Sequence, residues 1–475
     1  MSRALLVVSL ALGTLALAAA PSAAATPEEL LRNTCSGCHQ PDAAGRLSRI
    51  ADQRKTPEGW AMTIQRMEDL HGITVSSQDL PLGSADAKRA LVKHLADTQG
   101  LAPSETAGFR YALEQRLDEI EPVDAEFKMM CGRCHSAARV VLQRRPLEEW
   151  KKLVHFHLGQ WPSTEYSAGG RNLDWLPVAL NETAPMLAEK YGLESAEWEK
   201  WKKAKKPALA GEWTLFGHQL AKGDFRGRMT AVRSGADEYA VTFEGAYTRS
   251  GEKLSGSGTA VVYTGYEWRA TLTLGDAKWQ QVMQAVPLAA PKLAGRMYER
   301  AHPEHGLALE AFQPRAYVTS SPLLSDAPAS ALGAGRVDRI SVDPPYQVAR
   351  VGDGGGPIPK EFGVFDAVAW SNGPDGKPET ADDVRIGAVP ATWRSEPWNE
   401  LAREERDVEF AGNFEDPSVG VFTPGDAGPN PARKYGTNNA GNLKVIATVK
   451  DGERELTAEA QLIVTVQRWI HSPIP

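Results

Sequence analysis

Every cysteine in this chain belongs to one of two copies of a single pattern. Cys35-Ser36-Gly37-Cys38-His39 and Cys131-Gly132-Arg133-Cys134-His135 both read C-x-x-C-H, and the 475 residues hold only four cysteines. Two thiols three residues apart on one turn of backbone reach the two vinyl groups of a haem, while the next residue presents imidazole to the iron. A disulfide pair, a zinc site or a thioredoxin-like redox pair would use the same thiols. Neither a zinc nor a redox reading explains why histidine follows the second cysteine both times. The pattern predicts two haem c groups, attached through Cys35, Cys38, Cys131 and Cys134, with His39 and His135 as proximal iron ligands.

Haem attachment of this kind belongs outside the cytoplasm, and the chain begins with a matching address. Arg3 supplies a positive charge, Ala4 to Ala20 is almost wholly apolar, and Pro21-Ser22-Ala23-Ala24-Ala25 ends in an A-x-A pattern. Residues 1–25 therefore read as a signal peptide, with Thr26 as the mature N-terminus and a periplasmic destination. No later segment approaches the roughly 18 apolar residues that a spanning helix needs, so no membrane span is expected. Loss of Arg3 takes the formal net charge of −7 one unit further negative. An acidic exported chain argues against nucleic acid as a partner.

Each motif ends a helical signal. Thr26-Pro27-Glu28-Glu29 reads as an N-cap, a proline at the first helical position and a reciprocal glutamate, and Asp124 is placed to cap a similar helix into Cys131. A helix running into C-x-x-C-H resembles the small class I cytochromes c. An internal repeat then suggests the second axial ligands. Aligned on Trp60 and Trp150, the two halves share W-x3-[I/V]-x2-[M/H], which places Met67 and His157 at one position, two turns beyond the tryptophan. His155 is the rival for the second iron, and His71 and His94 are rivals for the first. Trp60 and Trp150 read as packing residues.

Further helices are expected over Ala87–Thr98, Phe109–Glu119 and Ala196–Lys206, the last Lys-rich and solvated. After Pro207 the period changes to two. Met229–Arg233, Tyr239–Phe243, Ala260–Tyr263 and Trp268–Leu274 are β-branched or aromatic and are separated by Gly-rich turns, the signature of an antiparallel barrel or sandwich. At about 150 residues per domain the chain is long enough for roughly three domains. We read 26–206 as an all-α dihaem cytochrome c domain, 207–312 as an antiparallel β-barrel, 313–335 as a connector, and 336–475 as an Ig-like β-sandwich. The loop Asp375 to Asp383 carries the carboxylates of a calcium site without EF-hand spacing, and surface turns are rich in the same residues.

Five segments spread along the chain carry a family resemblance: Arg54-Lys55-Thr56-Pro57-Glu58-Gly59-Trp60, Leu101-Ala102-Pro103-Ser104-Glu105-Thr106, His157-Leu158-Gly159-Gln160-Trp161-Pro162, Val262-Tyr263-Thr264-Gly265-Tyr266-Glu267-Trp268-Arg269 and Thr437-Asn438-Asn439-Ala440-Gly441-Asn442-Leu443. With them the sequence resembles the alpha, dihaem subunit of quinohemoprotein amine dehydrogenases. The resemblance implies a dihaem domain with β domains on this chain, a β-propeller subunit, and a small subunit whose cysteine tryptophylquinone oxidises primary amines. It also implies a third β domain, for which 313–335 leaves no room. All four cysteines here are assigned to haem, so the quinone must lie on a partner.

The resulting expectation is electron transfer without amine chemistry on this chain, from the partner's quinone through two haems to a soluble cytochrome c or cupredoxin. Methionine ligation raises a haem's potential relative to histidine, which orders the His135/His157 site before the His39/Met67 site. The alternatives are a stand-alone dihaem redox protein or a peroxidase; a peroxidase needs an open iron position, which the Met/His repeat argues against. The intact mass of the mature protein should exceed that of its polypeptide by two haems. One haem or none, after expression with competent attachment machinery, would overturn the reading.

Overall fold

The computed structural model describes residues 26–75, 85–116, 119–165, 174–286, 292–313 and 337–466. The expected leader, and the expected connector beyond Gln313, lie outside them. Among the described residues no helix is long and apolar enough to cross a membrane.

The N-terminal region is helical: α1 (Pro27–Cys35), α2 (Pro57–His71), α3 (Ala85–Thr98), α4 (Ala125–Cys131), α5 (Leu147–Gln160), α6 (Ala184–Lys190) and α7 (Ala196–Lys203), with single turns between. The predicted caps form. Glu29 N donates to Thr26 Oγ1 at 3.2 Å while Thr26 N donates to Glu29 Oε2 at 2.8 Å, and Phe127 N donates to Asp124 Oδ1 at 2.7 Å. Both caps stop the orphan amides of a first turn from being left without acceptors.

The helix expected over Phe109–Glu119 is cut short. A 3-10 turn at Ala107–Phe109 leads into one α-turn, Arg110–Leu113, and Gln115 then takes a left-handed φ of 55°. Arg296, from a distant strand, donates to Glu114 O at 3.0 Å and Gln115 O at 2.8 Å. Those carbonyls are satisfied by tertiary partners rather than by another helical turn, a contact invisible to local pattern.

The second region is a closed antiparallel barrel of eight strands: β1 (Gly211–Gln219), β2 (Gly223–Arg233), β3 (Glu238–Tyr247), β4 (Lys253–Tyr263), β5 (Glu267–Leu274), β6 (Ala277–Val286), β7 (Lys292–Glu299) and β8 (Leu307–Phe312), with β8 paired back onto β1. Alternate residues point inward. Trp213, Phe225, Phe243, Trp268, Met283 and Met297 fill the interior at 2% exposure or less, so the barrel is a packed core. Gly245 admits the Phe225 ring, because a Cβ there would stand 2.3 Å from its Cζ.

The hairpin between β4 and β5 anchors the barrel to the helices. Thr264 and Gly265 both have positive φ, 57° and 74°, in the three-residue loop between the paired Tyr263 and Glu267. Thr264 N donates to Asp97 Oδ1 at 2.6 Å, Tyr266 OH to Leu101 O at 3.1 Å, and Trp201 Nε1 to Thr264 O at 2.9 Å. Beneath them runs a buried charge chain: Arg110 to Glu267 at 2.6 Å, Glu267 to Arg269 at 2.7 Å, and Arg269 to Glu58 at 2.7 Å. Burial opposes ionisation of Glu267, but Arg110 and Arg269 outweigh it and hold its carboxyl at about 2.

The third region has sheets of three, four and three strands: β9 (Arg339–Asp343), β12 (Asp366–Ser371) and β13 (Val384–Val389); β10 (Tyr346–Arg350), β18 (Arg454–Thr465), β17 (Gly441–Asp451) and β14 (Thr392–Pro397); and β11 (Gly363–Val364), β16 (Val421–Pro424) and β15 (Gly412–Asn413). Their shared core holds Phe365, Trp393, Phe422, Leu443 and Leu462. In the 375–383 loop, Asp375 and Asp383 accept backbone N–H groups at 2.8 Å, and Asp382 accepts one at 3.2 Å and the Thr380 hydroxyl at 2.7 Å. Arg339 pairs with Asp383. These carboxylates shape the turn, and no group of three metal-binding side chains occurs among the described residues.

His218 clamps the barrel to this region. Its Nδ1 lies 2.8 Å from Asp224 Oδ1 and its Nε2 lies 2.6 Å from Asp366 Oδ2. Burial disfavours the charge, but the bonds to Asp224 and Asp366 prevail and raise the imidazole to about 9. A histidine raised from about 6.5 contributes its full stabilisation below that pH and loses it as the pH rises through about 9, on the order of 3 kcal/mol. The melting temperature should fall between pH 7 and 9.5, and His218→Gln should remove most of that fall. An unchanged pH dependence in the variant would show that the clamp contributes nothing.

Candidate haem sites

The four thiols stand at the ends of α1 and α4. All are free; Cys35 and Cys131 are half-buried, and Cys38 and Cys134 are exposed. Burial, with the neighbouring Cys38, pushes the Cys35 thiol up to about 11, and burial alone pushes Cys131 to about 12. Cys35 packs against the cluster of Leu30, Trp60 and Ile64; Cys131 packs against those of Trp150 and Trp175.

Three histidines share one arrangement. His39 Nδ1 lies 2.8 Å from Ser48 O, His135 Nδ1 lies 2.9 Å from Ser136 O, and His157 Nδ1 lies 2.7 Å from Leu153 O. A carbonyl can only accept, so each Nδ1 carries the proton and each Nε2 is left as the basic nitrogen. This second bond is what orients a metal-bound imidazole and fixes its tautomer. His135 and His157 face each other with ring centres 6.3 Å apart. Two imidazoles bonded to a shared metal, each nitrogen roughly 2 Å from it, have ring centres about 6 Å apart. Burial lowers the pKa of both, favouring the neutral form that can ligate. The donor set therefore fits a haem held between these rings.

Of the two candidates on α5, His157 is brought opposite His135, while His155 is exposed. Met67 is half-buried on α2, two turns beyond Trp60 and one beyond Ile64. His71 is exposed at the end of α2. His94 is half-buried with its Nδ1 3.4 Å from Glu28 Oε1. Trp60 and Trp150 are each 1% exposed; Trp60 Nε1 donates to Gln99 O at 3.1 Å, while Trp150 Nε1 is buried with no partner among the described residues.

The joint between the two halves went unread in the sequence. Arg54-Lys55 pairs with Gln143-Arg144 in a two-residue antiparallel ladder. Arg54 makes two bonds of 2.9 Å to the Glu105 carboxylate, and Arg144 Nε reaches Glu105 Oε1 at 3.1 Å. Lys55 and Arg145 lie over Trp60 and Trp150, at 5.3 and 5.9 Å from the ring centres. The signal was present: carried backward from the two tryptophans, the repeat superposes Arg54-Lys55 on Arg144-Arg145.

Three family profiles match the chain, each describing quinohemoprotein amine dehydrogenase alpha subunit: the haem-binding part over residues 25–198, domain II over 206–314 and domain IV over 340–474. The chain belongs to that family. The alpha subunit thus contains a haem-binding region, and its family is one component of an oxidoreductase with further subunits. The three profiles follow the helical, barrel and C-terminal sheet regions in turn. No curated protein matches. Among solved structures, the redesigned β-barrel mFAP1 bound to DFHBI is 18% identical over 22% of this chain and 91% of its own, with a TM-score of 0.19. A fluorescence-activating β-barrel designed de novo is 20% identical over 22% of this chain and 93% of its own, with the same TM-score of 0.19. At these scores the likeness adds nothing to the reading.

Replacing His157 with Ala should change the low-spin haem spectrum of one site, and Met67→Ala that of the other, while His155→Ala and His71→Ala leave both unchanged. Absorption spectra of the four variants check this. Unchanged spectra in Met67→Ala would return the first site to His71 or His94.

Proposed function

We propose that this chain is the dihaem electron-transfer subunit of a periplasmic quinohemoprotein amine dehydrogenase, exported by its first 25 residues. Cys35 and Cys38 would hold one haem c, with His39 and Met67 on its iron; Cys131 and Cys134 would hold the other, with His135 and His157. Haem c, when bound, supplies a reversible one-electron couple. The reading is carried by the facing rings of His135 and His157, 6.3 Å apart and each tied through Nδ1 to a backbone carbonyl.

The chain's own residues set direction and shelter. The Met67 thioether favours the reduced state more than a second imidazole does, which makes the first site the better acceptor. Buried Trp60 and Trp150 shield the helical cores from water. The partners in this reading are a β-propeller subunit and a small subunit bearing cysteine tryptophylquinone, where primary amine becomes aldehyde and ammonia. A soluble cytochrome c or cupredoxin takes the electrons onward. The C-terminal sheets are read as an Ig-like sandwich; the common core of their facing strands and the parallel pairing of β10 with β18 support that architecture.

In stopped-flow mixing with a primary amine, the haem bands of the complete complex should be reduced, and those of the isolated subunit should stay oxidised. Amine-driven reduction of the isolated subunit would show that the catalytic site has been misplaced. Amine turnover in a complex whose haem bands never change would remove the electron-transfer role.

A further inference from the structure

Positive charge accumulates at the joint between the two repeats in excess of what the protein neutralises there. Lys55 and Arg145 are each 4% exposed. Lys55 Nζ is held by the neutral Thr63 hydroxyl at 2.5 Å, and Arg145 by the amide oxygens of Gln143 at 2.9 Å and Gln53 at 2.8 Å. In front of them stand Arg66 and Arg139. The Arg66 guanidinium lies 4.9 Å from the centre of the Phe156 ring, and Arg139 Nη2 lies 2.8 Å from the Met62 sulfur. Among the described residues neither has an anion as partner. The one carboxylate in the group, Glu149, is shared by Arg49 at 3.3 Å, Arg145 at 3.7 Å and Lys152 at 2.6 Å.

Arg66 is half-buried and Arg139 exposed, so the desolvation falls on Lys55 and Arg145 behind them. A buried cation held mainly by neutral acceptors costs several kcal/mol, so the cluster suits an anion that the polypeptide does not contain. The place is specific. Phe156, under Arg66, adjoins His157 with ring centres 6.2 Å apart, His157 faces His135, and Arg139 follows His135 by four residues. The buried Nε1 of Trp150, without a partner among the described residues, belongs to the ring that Arg145 covers.

We propose that Arg66 and Arg139, backed by Lys55 and Arg145, form one anion-binding cradle across the repeat joint, and that it binds propionate carboxylates of both haems. The proposal rests on the dihaem reading above. It makes Arg66, adjacent to Met67, and Arg139, near His135, positioning residues that each belong to one repeat and serve both. A guanidinium beside a propionate favours the reduced, less positive iron, so a cation shared by two sites ties their potentials together.

The test is a spectroelectrochemical titration of the complete complex carrying Arg66→Gln, Arg66→Lys or Arg139→Gln, with resonance Raman spectra of the propionate bending modes. Either glutamine variant should lower both midpoint potentials, by up to about the 59 mV of a tenfold change, and shift the propionate bands. Arg66→Lys should restore most of the potential, which a merely structural loss would not allow. Two haems with unchanged propionate bands, or a potential shift confined to one site, would overturn the cradle and leave the dihaem reading intact. Fewer than two haems in the unsubstituted chain would overturn both.

Discussion

One buried carboxylate holds the helical region together. Glu105 accepts from Arg54 and Arg144, residues that pair across the two-residue ladder and occupy equivalent places in the two repeats. It also takes Ala102 N at 2.7 Å and the Ser195 hydroxyl at 2.9 Å, so both oxygens are fully engaged. Burial works against its charge, and the two arginines overcome that and lower its pKa. Removing one member of such a buried set leaves the others uncompensated, a loss of roughly 3–5 kcal/mol. The geometry of the two candidate sites depends on this contact, because the ladder fixes the start of α2 and α5, the helices that carry Met67 and His157.

A second set of buried charges ties that assembly to the barrel. Glu58 opens α2 and meets Arg269 of β5, which shares Glu267 with Arg110. The two networks have the same logic: bidentate arginines, carboxylates with little solvent, and backbone carbonyls capping what remains. Because the partners come from different regions of the chain, the helical and barrel regions are registered against each other by directional bonds, which apolar packing alone would not provide.

Local chemistry was legible in the sequence. The Thr26 capping box, the Asp124 cap and the period-two strands are all decided within a few residues, and each is where the sequence put it. The segment after Phe109 failed because Arg296 of β7 captures Glu114 and Gln115 from about 180 positions away, as the bonds show. Composition could not reveal the cations at the joint either: lysine and arginine usually read as solvated surface, and Lys55 and Arg145 are 4% exposed. The repeat did contain them, six and five residues before each tryptophan, but its meaning depends on knowing that the two halves face each other. The Asp375–Asp383 loop shows the converse, since carboxylates that suit a cation serve equally well as acceptors for their own turn.

The closure of the barrel has a mechanical consequence. A strand at the margin of an open sheet can peel away by breaking one ladder, but in a ring every strand is held on both sides. Glu267 and Arg269 sit on β5, between β4 and β6. To withdraw them, two ladders must break together, so their opening is tied to the cooperative unfolding of the ring and not to fraying. The α2 helix, grounded on Arg269 through Glu58, thereby inherits a footing as long-lived as the barrel itself.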